Sequence, residues 1–293
     1  PPSPYVFEAI KETTNETLRL YPDPESQKLK SVIANYFSVD KSNIFLGNGS
    51  DEVLAHAFNA FFKKENPILF PDLTYSFYPV FCQLYDISFE ELALDKDFKI
   101  LINNYNRLNG GVIFPNPNAP TGIGLARKEI IKLLELNSSS VIIIDEAYID
   151  YSNNSNEYID DSKVSSVVDL VSKYENLLVV QTMSKSRGLA GLRLGYAIGN
   201  KILIEALEKV KNSFNSYPID RIAQKAAEAS FYDESYFKKT CDYVVHERKE
   251  LIQKLSSRSF VCLPSSSNFI LVKHYLFSGR ELAKLLKKEN IIV

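Results

Sequence analysis

Residues 182–193 read TMSKSRGLAGLR and directly follow an apolar run, LLVV, at residues 177–180. The apolar run is typical of a buried strand. A lysine just beyond a strand end, here Lys185, can lose part of its hydration in a loop of small residues, which leaves a neutral amine available for Schiff-base chemistry. Three other side chains of the segment could together bind one phosphate: Thr182, Ser184 and Arg193. Taken alone, the segment is equally well explained by a solvated lysine beside a structural arginine.

A second candidate site lies at residues 47–52, which read GNGSDE and precede an apolar helical segment. A glycine turn that leads into a helix directs backbone N–H groups toward an anion at the helix N-terminus. Ser50 or Asp51 is equally compatible with a plain N-cap, with Glu52 in the first turn. The sequence leaves both interpretations open, and they do not exclude one another.

A third candidate is Asp145, which ends the continuous apolar run VIII at residues 141–144. A run without alternation is expected at the centre of a parallel sheet, where both faces are covered. Ligands of such sheets bind at the carboxyl ends of the strands, so Asp145 is predicted to face the site. For an isolated aspartate, a helix N-cap is the competing explanation.

Short apolar runs alternate with helical periodicity along most of the chain. Strands are predicted at residues 44–46, 68–70, 87–92, 112–114, 141–144, 177–180, 195–198 and 268–272. Helices are predicted at residues 6–14, 25–37, 53–62, 126–136, 202–211, 222–231, 236–255 and 280–288, with another beginning after the aromatic-rich residues 73–78. Residues 115–122, PNPNAPTG, favour a rigid loop that could hold a cis X-Pro bond, and residues 150–161 favour a polar surface loop.

About seven strands separated by helices predict an α/β fold with a mostly parallel sheet sandwiched by helices. A small α+β domain is predicted to complete the chain. We place the large domain at residues 21–232 and the small domain at residues 1–20 and 233–293.

Composition excludes several classes of function. The 293 residues include 34 basic and 36 acidic side chains, and the net charge of −2 gives no electrostatic basis for binding nucleic acid or an anionic membrane. No apolar stretch is long enough to cross a membrane. The three cysteines, Cys82, Cys241 and Cys262, are too far apart for a disulfide framework or a metal cluster. These features predict buried thiols in a reducing cytoplasm and no metal site.

The candidate loops carry complementary groups: an anion-binding turn, a carboxylate, an amine and an arginine. One ligand explains them together. Pyridoxal phosphate has a phosphate, an aldehyde that needs a lysine, and a ring nitrogen that needs a carboxylate partner to stay protonated.

The sequence resembles the fold-type I aminotransferases and, among them, the histidinol-phosphate aminotransferase family. The resemblance covers residues 21 to about 200 in family order and continues more weakly through Pro264-Ser265 and Asn268-Phe269. Its motifs are Tyr21-Pro22-Asp23, residues 47–52, Thr74-Tyr75, residues 116–122, Asp145-Glu146-Ala147-Tyr148, Ser184-Lys185 and Gly191-Leu192-Arg193.

The resemblance implies a role for each site residue. Lys185 would hold the cofactor aldehyde and shuttle the proton, and Asp145 would pair with the ring nitrogen. Tyr148 would donate to the phenolic oxygen, and Tyr75 would stack on the ring. The phosphate would be bound by Arg193, Ser184, Thr182 and the backbone N–H groups of Ser50 and Asp51. Tyr21 would reach the phosphate of the neighbouring subunit, which implies a homodimer with shared active sites.

The chain departs from the family pattern at Ala119, where an asparagine usually binds the phenolic oxygen. Either Asn118 substitutes for that asparagine or Tyr148 acts alone. The family's arginine for the substrate carboxylate lies in the segment just beyond Val293, so we expect the given sequence to be incomplete at both ends.

The implied reaction is transamination between L-histidinol phosphate and 2-oxoglutarate in histidine biosynthesis, with small-molecule amino donor and 2-oxo acid acceptor as partners. An aromatic amino-acid aminotransferase or a threonine-phosphate decarboxylase shares every cofactor residue. A non-enzymatic alternative is a ligand-sensing module of the same fold, as found fused to DNA-binding domains. The near-neutral charge and the lack of a helix-turn-helix segment argue against that alternative.

Overall fold

A seven-stranded sheet forms the centre of the computed structural model, which describes residues 1–152 and 160–293. Its strands are β1 (Ile44–Gly47), β2 (Ile68–Pro71), β3 (Phe89–Leu92), β4 (Gly111–Pro115), β5 (Ile142–Asp145), β6 (Leu177–Thr182) and β7 (Gly195–Gly199). The spatial order is β1-β7-β6-β5-β4-β2-β3. Strands β3, β2, β4, β5 and β6 pair in parallel, whereas β7 is antiparallel to both of its neighbours. The mostly parallel α/β sheet that the sequence predicts is confirmed, with β5 at its centre.

Helices cover both faces of this sheet. The α-helices of the described residues are α1 (Pro4–Thr13), α2 (Gln27–Phe37), α3 (Gly49–Phe61), α4 (Phe77–Tyr85), α5 (Arg127–Leu136), α6 (Lys201–Phe214), α7 (Arg221–Tyr232), α8 (Glu234–Ser256) and α9 (Gly279–Lys288). Several begin at side-chain caps, as at Asp220, whose carboxylate accepts from Ala223 N–H, and at Ser278, which forms a capping box with Glu281.

The period of two along each strand divides the core into two layers. Alternate residues of β5 illustrate the division: Ile142 and Ile144 pack with α2, α5 and α7, whereas Ile143 packs with α3, α4 and α6. All three isoleucines are fully buried. Since Asp145 shares a face with Ile143, its side chain belongs to the layer that contains α3 and α4.

A smaller unit follows α7, in which α8 and α9 flank a two-stranded antiparallel sheet of β8 (Phe260–Cys262) and β9 (Val272–His274). The buried Arg248 of α8 donates to the backbone carbonyls of Tyr151 and Ser267. At the other end of the chain, α1 packs against α7, and Ser3 Oγ donates to Asp233 Oδ2 at 2.5 Å. The division at residue 233, with residues 1–20 assigned to the small domain, stays a prediction.

Some sequence predictions need correction. The predicted strand at residues 268–272 overlaps β9 only at Val272, and β8 was not predicted. Both strands are short and half-buried, so neither carries the apolar signal of a core strand. Cys262 is half-buried rather than buried, unlike Cys82 and Cys241. Residues 153–159 of the predicted polar loop lie outside the described residues.

In the described part of the chain, no helix is long and apolar enough to span a membrane.

Candidate active site

One pocket lies where β5 and β6 end and α3 begins. Most of the predicted site residues line it: Ser50, Asp51, Tyr75, Asp145, Tyr148, Thr182, Ser184, Lys185 and Arg193. Pro115, Ala119 and Ala147 complete the lining. The topology explains this convergence, because the carboxyl ends of adjacent parallel strands meet at one edge of the sheet.

The N-terminus of α3 forms the anion-binding end of the pocket. The helix begins at Gly49 and its cap residue is Asn48, so neither Ser50 nor Asp51 is the N-cap that the sequence left open. Instead both residues lie in the first turn, where the backbone N–H groups have no partner within the helix. These donors and the helix dipole make the turn a natural phosphate site.

Glycine is required at two positions around this turn. Gly49 has a φ of +82°, and a Cβ there would lie 2.6 Å from Arg193 Nη2. A Cβ on Gly195 of β7 would lie 2.3 Å from the backbone nitrogen of Ser50. The two glycines therefore let the arginine and the strand approach the first turn of α3 closely.

Arg193 lies beside this turn and forms an ion pair with Asp51, with 3.0 Å between Nη2 and Oδ2. Both side chains are about half exposed. The other oxygen of Asp51 accepts a hydrogen bond from Tyr75 OH at 2.9 Å. Burial raises the pKa of the Tyr75 phenol, and its bond to Asp51 adds to the effect, so Tyr75 is a neutral donor.

Asp145 is the buried carboxylate of the pocket, with 5% of its surface exposed. No α-helix begins at Asp145, so the helix N-cap explanation is wrong. Its Oδ1 accepts from Ala147 N–H at 3.1 Å, and its Oδ2 accepts from Tyr78 OH at 3.2 Å. Burial raises the pKa of Asp145 to about 6, against the opposing effect of these two hydrogen bonds. The carboxyl group is thus mainly ionised at neutral pH.

Lys185 lies opposite the ring of Tyr148, with 5.3 Å between Nζ and the ring centroid. Phe269 meets Tyr148 edge-on, with 5.0 Å between ring centroids, and so supports the tyrosine from the side of the small unit. Lys185 itself is exposed, contrary to the expectation of a partly desolvated amine. At the end of β6, Thr182 Oγ1 accepts from Ser184 N–H at 3.2 Å, which fixes the start of the lysine loop.

The donor set of the pocket fits pyridoxal phosphate. The first turn of α3 and Arg193 suit a phosphate, the Lys185 amine suits an aldehyde, and the buried Asp145 suits a protonated ring nitrogen. A family model described as aminotransferase class I and II matches residues 2–293. The chain belongs to this family.

Relatives and solved structures agree with the family. The chain is 49% identical over 292 residues to a histidinol-phosphate aminotransferase of Pseudomonas putida (strain W619), covering all of this chain and 81% of the relative. It is 50% identical over 293 residues to histidinol-phosphate aminotransferase 1 of Hydrogenovibrio crunogenus, covering 79% of that protein. The crystal structure of the histidinol-phosphate aminotransferase from Clostridium acetobutylicum superposes with a TM-score of 0.88 at 27% identity, covering 98% of this chain and 84% of that one.

Two predicted site residues of this aminotransferase lie outside the pocket. Asn118 is buried, and its amide donates to Leu73 O at 3.0 Å and accepts from Thr74 Oγ1 at 3.0 Å. Its side chain therefore braces the loop that contains the cis Asn116–Pro117 and Ala119–Pro120 bonds, while Ala119 faces the pocket. The structure gives no support for Asn118 as the substitute donor.

Tyr21 also lies apart from the pocket of its own chain and is 79% exposed. Its ring contacts that of Tyr217, with 4.8 Å between centroids, and its carbonyl accepts from Arg221 Nη2 at 3.0 Å. The residue is thus held at the surface by the segment that leads into α7.

Sequence reasoning missed Tyr78, which donates to Asp145 from the second position of α4. The signal was present, because Tyr75 and Tyr78 are three residues apart where α4 begins. Tyr75 precedes the N-cap Ser76, so the two tyrosines share no helical face, but a tyrosine this close along the chain to a predicted site residue was a candidate for the same pocket.

Proposed function

We propose that this chain catalyses pyridoxal-phosphate-dependent transamination between L-histidinol phosphate and 2-oxoglutarate, a step of histidine biosynthesis. The observation that carries the proposal is that the Lys185 amine, the buried Asp145 carboxylate and the first turn of α3 line one pocket. The identity of 49–50% to curated histidinol-phosphate aminotransferases, over the whole chain, supports the substrate.

Pyridoxal phosphate supplies an aldehyde that takes up the amino group and a ring that accepts electron density when a bond at the amine-bearing carbon breaks. Asp145 would keep the ring nitrogen protonated, and its burial shields the carboxylate from water. Lys185 would hold the aldehyde and move the proton at the amine-bearing carbon. Tyr148, which lies beside Lys185, would donate to the phenolic oxygen.

Arg193, Ser184, Thr182 and the backbone N–H groups of Ser50 and Asp51, which line the same pocket, would hold the phosphate. An arginine and a helix N-terminus both favour a dianion, and neither requires a proton to be moved. Tyr75 supplies an aromatic face for the ring, held in place by its bond to Asp51. Because other residues would bind the phosphate and the ring, the Lys185 amine is available to react with the aldehyde and to move the proton.

A panel of amino donors tests the substrate. With 2-oxoglutarate as acceptor, histidinol phosphate should give the highest kcat/KM, well above phenylalanine. Threonine phosphate should yield no decarboxylation. A preference for phenylalanine or release of carbon dioxide from threonine phosphate would replace the proposed substrate with one of these alternatives. Cofactor binding without turnover of any donor would favour a ligand-sensing module.

The proposed assembly is a homodimer with shared active sites, in which Tyr21 reaches the partner's phosphate site. The exposure of Tyr21 and its attachment to Tyr217 and Arg221 support this role, because the side chain is positioned but contacts nothing in its own pocket. We also propose a cytoplasmic location, consistent with three cysteines that form no disulfide.

A further inference from the structure

Tyr75, just before α4, and Tyr78, in its first turn, donate hydrogen bonds to the two carboxylates of the pocket. Tyr75 donates to Asp51 at 2.9 Å, and Tyr78 donates to Asp145 at 3.2 Å. The first contact lies beside Arg193, and the second holds the buried carboxylate. The function proposed above uses Tyr75, Asp51 and Asp145 but gives no role to Tyr78.

Packing alone does not explain a hydroxyl at residue 78. The side chain is fully buried, and its ring packs against the rings of Phe58, Phe70 and Tyr75, with centroids 5.6–6.1 Å away. A phenylalanine would make the same ring contacts. Burying a hydroxyl is unfavourable unless it finds a partner, and the partner here is Asp145 Oδ2.

We propose that Tyr78 is a positioning residue for Asp145, which fixes the plane of its carboxylate and stabilises the ionised form that the ring nitrogen requires. Ala147 N–H holds Oδ1 and Tyr78 OH holds Oδ2, so the carboxylate is restrained at both oxygens. Ala147 donates from its backbone, so this bond does not depend on the side chain at residue 147. Among the described residues, Tyr78 is therefore the side chain that holds Asp145 by a hydrogen bond. The catalytic part of this role rests on the proposed function, whereas the effect on Asp145 does not.

Several other groups act on Asp145 and must be kept constant in a test. Asp51 of α3 opposes its ionisation, and Lys185 of the loop after β6 favours it. Tyr75 and Tyr148 line the same pocket. Tyr78 also stays protonated, because burial first and the nearby Asp145 second raise the pKa of its phenol far above neutrality. Substituting Tyr78 by phenylalanine removes one neutral donor and no charge.

The matched control is Tyr196→Phe. Tyr196 is also buried, and its hydroxyl donates to Gln181 Oε1 at 2.8 Å on the opposite face of the sheet. This substitution likewise removes one buried hydroxyl that has one acceptor. It leaves every contact of Asp145 unchanged.

Carboxyl NMR of the cofactor-free protein measures the titration of Asp145 directly. In Tyr78→Phe the midpoint should rise by about one pH unit, while Tyr196→Phe should leave it where it is in the wild type. In the loaded enzyme, Tyr78→Phe should lower kcat about tenfold with little change in KM. An unshifted midpoint, or a kcat within twofold of that of Tyr196→Phe, overturns the proposal.

If Tyr78→Phe does not fold, 3-fluorotyrosine at residue 78 replaces it. Its hydroxyl is a stronger hydrogen-bond donor, so the Asp145 midpoint should fall instead of rise, and an unchanged midpoint again overturns the proposal. The two proposals can fail separately. If the Asp145 midpoint moves as expected in the residue-78 variant but the wild-type protein transaminates no donor, the proposed function is contradicted and the role of Tyr78 at Asp145 is supported.

Discussion

Asp51 and Arg193 form an ion pair at 3.0 Å between the first turn of α3 and the loop that follows Lys185. Because both side chains are about half exposed, the pair stabilises the fold by no more than about 1 kcal/mol. A phosphate dianion that also binds the backbone N–H groups of the turn competes well with one such carboxylate. The ion pair therefore holds Arg193 beside the anion site without closing it.

Replacing Arg193 tests this role. Arg193→Gln should weaken pyridoxal phosphate binding at least tenfold, because a hydrogen bond between charged groups contributes about 1.5–3 kcal/mol. The dissociation constant is measured by titrating cofactor-free protein and following cofactor absorbance. Arg107→Gln is the matched control, since Arg107 forms an ion pair of the same exposure with Glu90 at 2.9 Å, away from the pocket. Equal affinities for the two variants would contradict the assignment of Arg193.

Gly49 should be intolerant of any side chain. Gly49→Ala places a Cβ 2.6 Å from Arg193 Nη2 on a backbone with φ of +82°, so we expect a loss of about 1 kcal/mol or more in unfolding free energy and a weaker cofactor affinity. Gly191→Ala, in the lysine loop, is the control because a Cβ there meets no atom within 4 Å. Chemical denaturation and cofactor titration measure the two effects. A fully stable Gly49→Ala protein with normal affinity would refute this account of the turn.

Asp145 should make the stability of the cofactor-free protein depend on pH. Burial raises its pKa from 3.8 to about 6, so the folded state binds this proton more tightly than the unfolded state does. The unfolding free energy should therefore fall as pH rises from about 4 to 6, by roughly 3 kcal/mol for a shift of this size. Asp145→Asn cannot titrate and should gain stability over the wild type across that range.

Denaturant unfolding at several pH values measures the difference between wild type and Asp145→Asn. Glu146, whose pKa burial raises to about 7, is present in both proteins, so its contribution cancels. Asp97→Asn, at an exposed position away from the pocket, is the control substitution. Parallel profiles for wild type and Asp145→Asn would show that Asp145 carries no burial penalty.

Subunit mixing tests the proposed shared site. Tyr21→Phe keeps the ring against Tyr217 and removes only the hydroxyl, so it should weaken cofactor binding about tenfold without dissociating the proposed dimer. Tyr21→Ala and Lys185→Ala subunits, each severely impaired alone, should regain activity when mixed, because one site of the heterodimer has both residues intact. No recovery after confirmed subunit exchange would place the whole site within one chain.

The sheet and the ends of its strands could be predicted because they depend on local patterns. Residues 142–144 and 177–180 are apolar without alternation, and the rule that sites form at the carboxyl ends of parallel strands predicted the one pocket that Asp145 and Lys185 line. The antiparallel direction of β7 could not be predicted, because hydrophobic periodicity does not encode which strands pair or in which direction.

The rest of the site depends on side-chain direction. Asn118 has the right chemistry and neighbours, yet its amide bonds Leu73 and Thr74, between β2 and α4, and leaves Ala119 at the pocket. In the sequence, Tyr78 cannot be distinguished from the other aromatic residues of the core. Only the structure shows that its hydroxyl donates to Asp145. The exposure of Lys185 could not be predicted either. A loop of small residues determines neither the rotamer of the lysine nor which side chains shield it from solvent.

Borohydride reduction of the cofactor-loaded protein tests the central claim, that Lys185 carries the chemistry of this site. Peptide mass spectrometry should locate a single phosphopyridoxyl group on Lys185, and Lys185→Ala should carry none while still binding cofactor through its phosphate. Activity should disappear in that variant, since it lacks the amine that is proposed to move the proton. Labelling of another lysine in the wild type, or no labelling, would contradict the account.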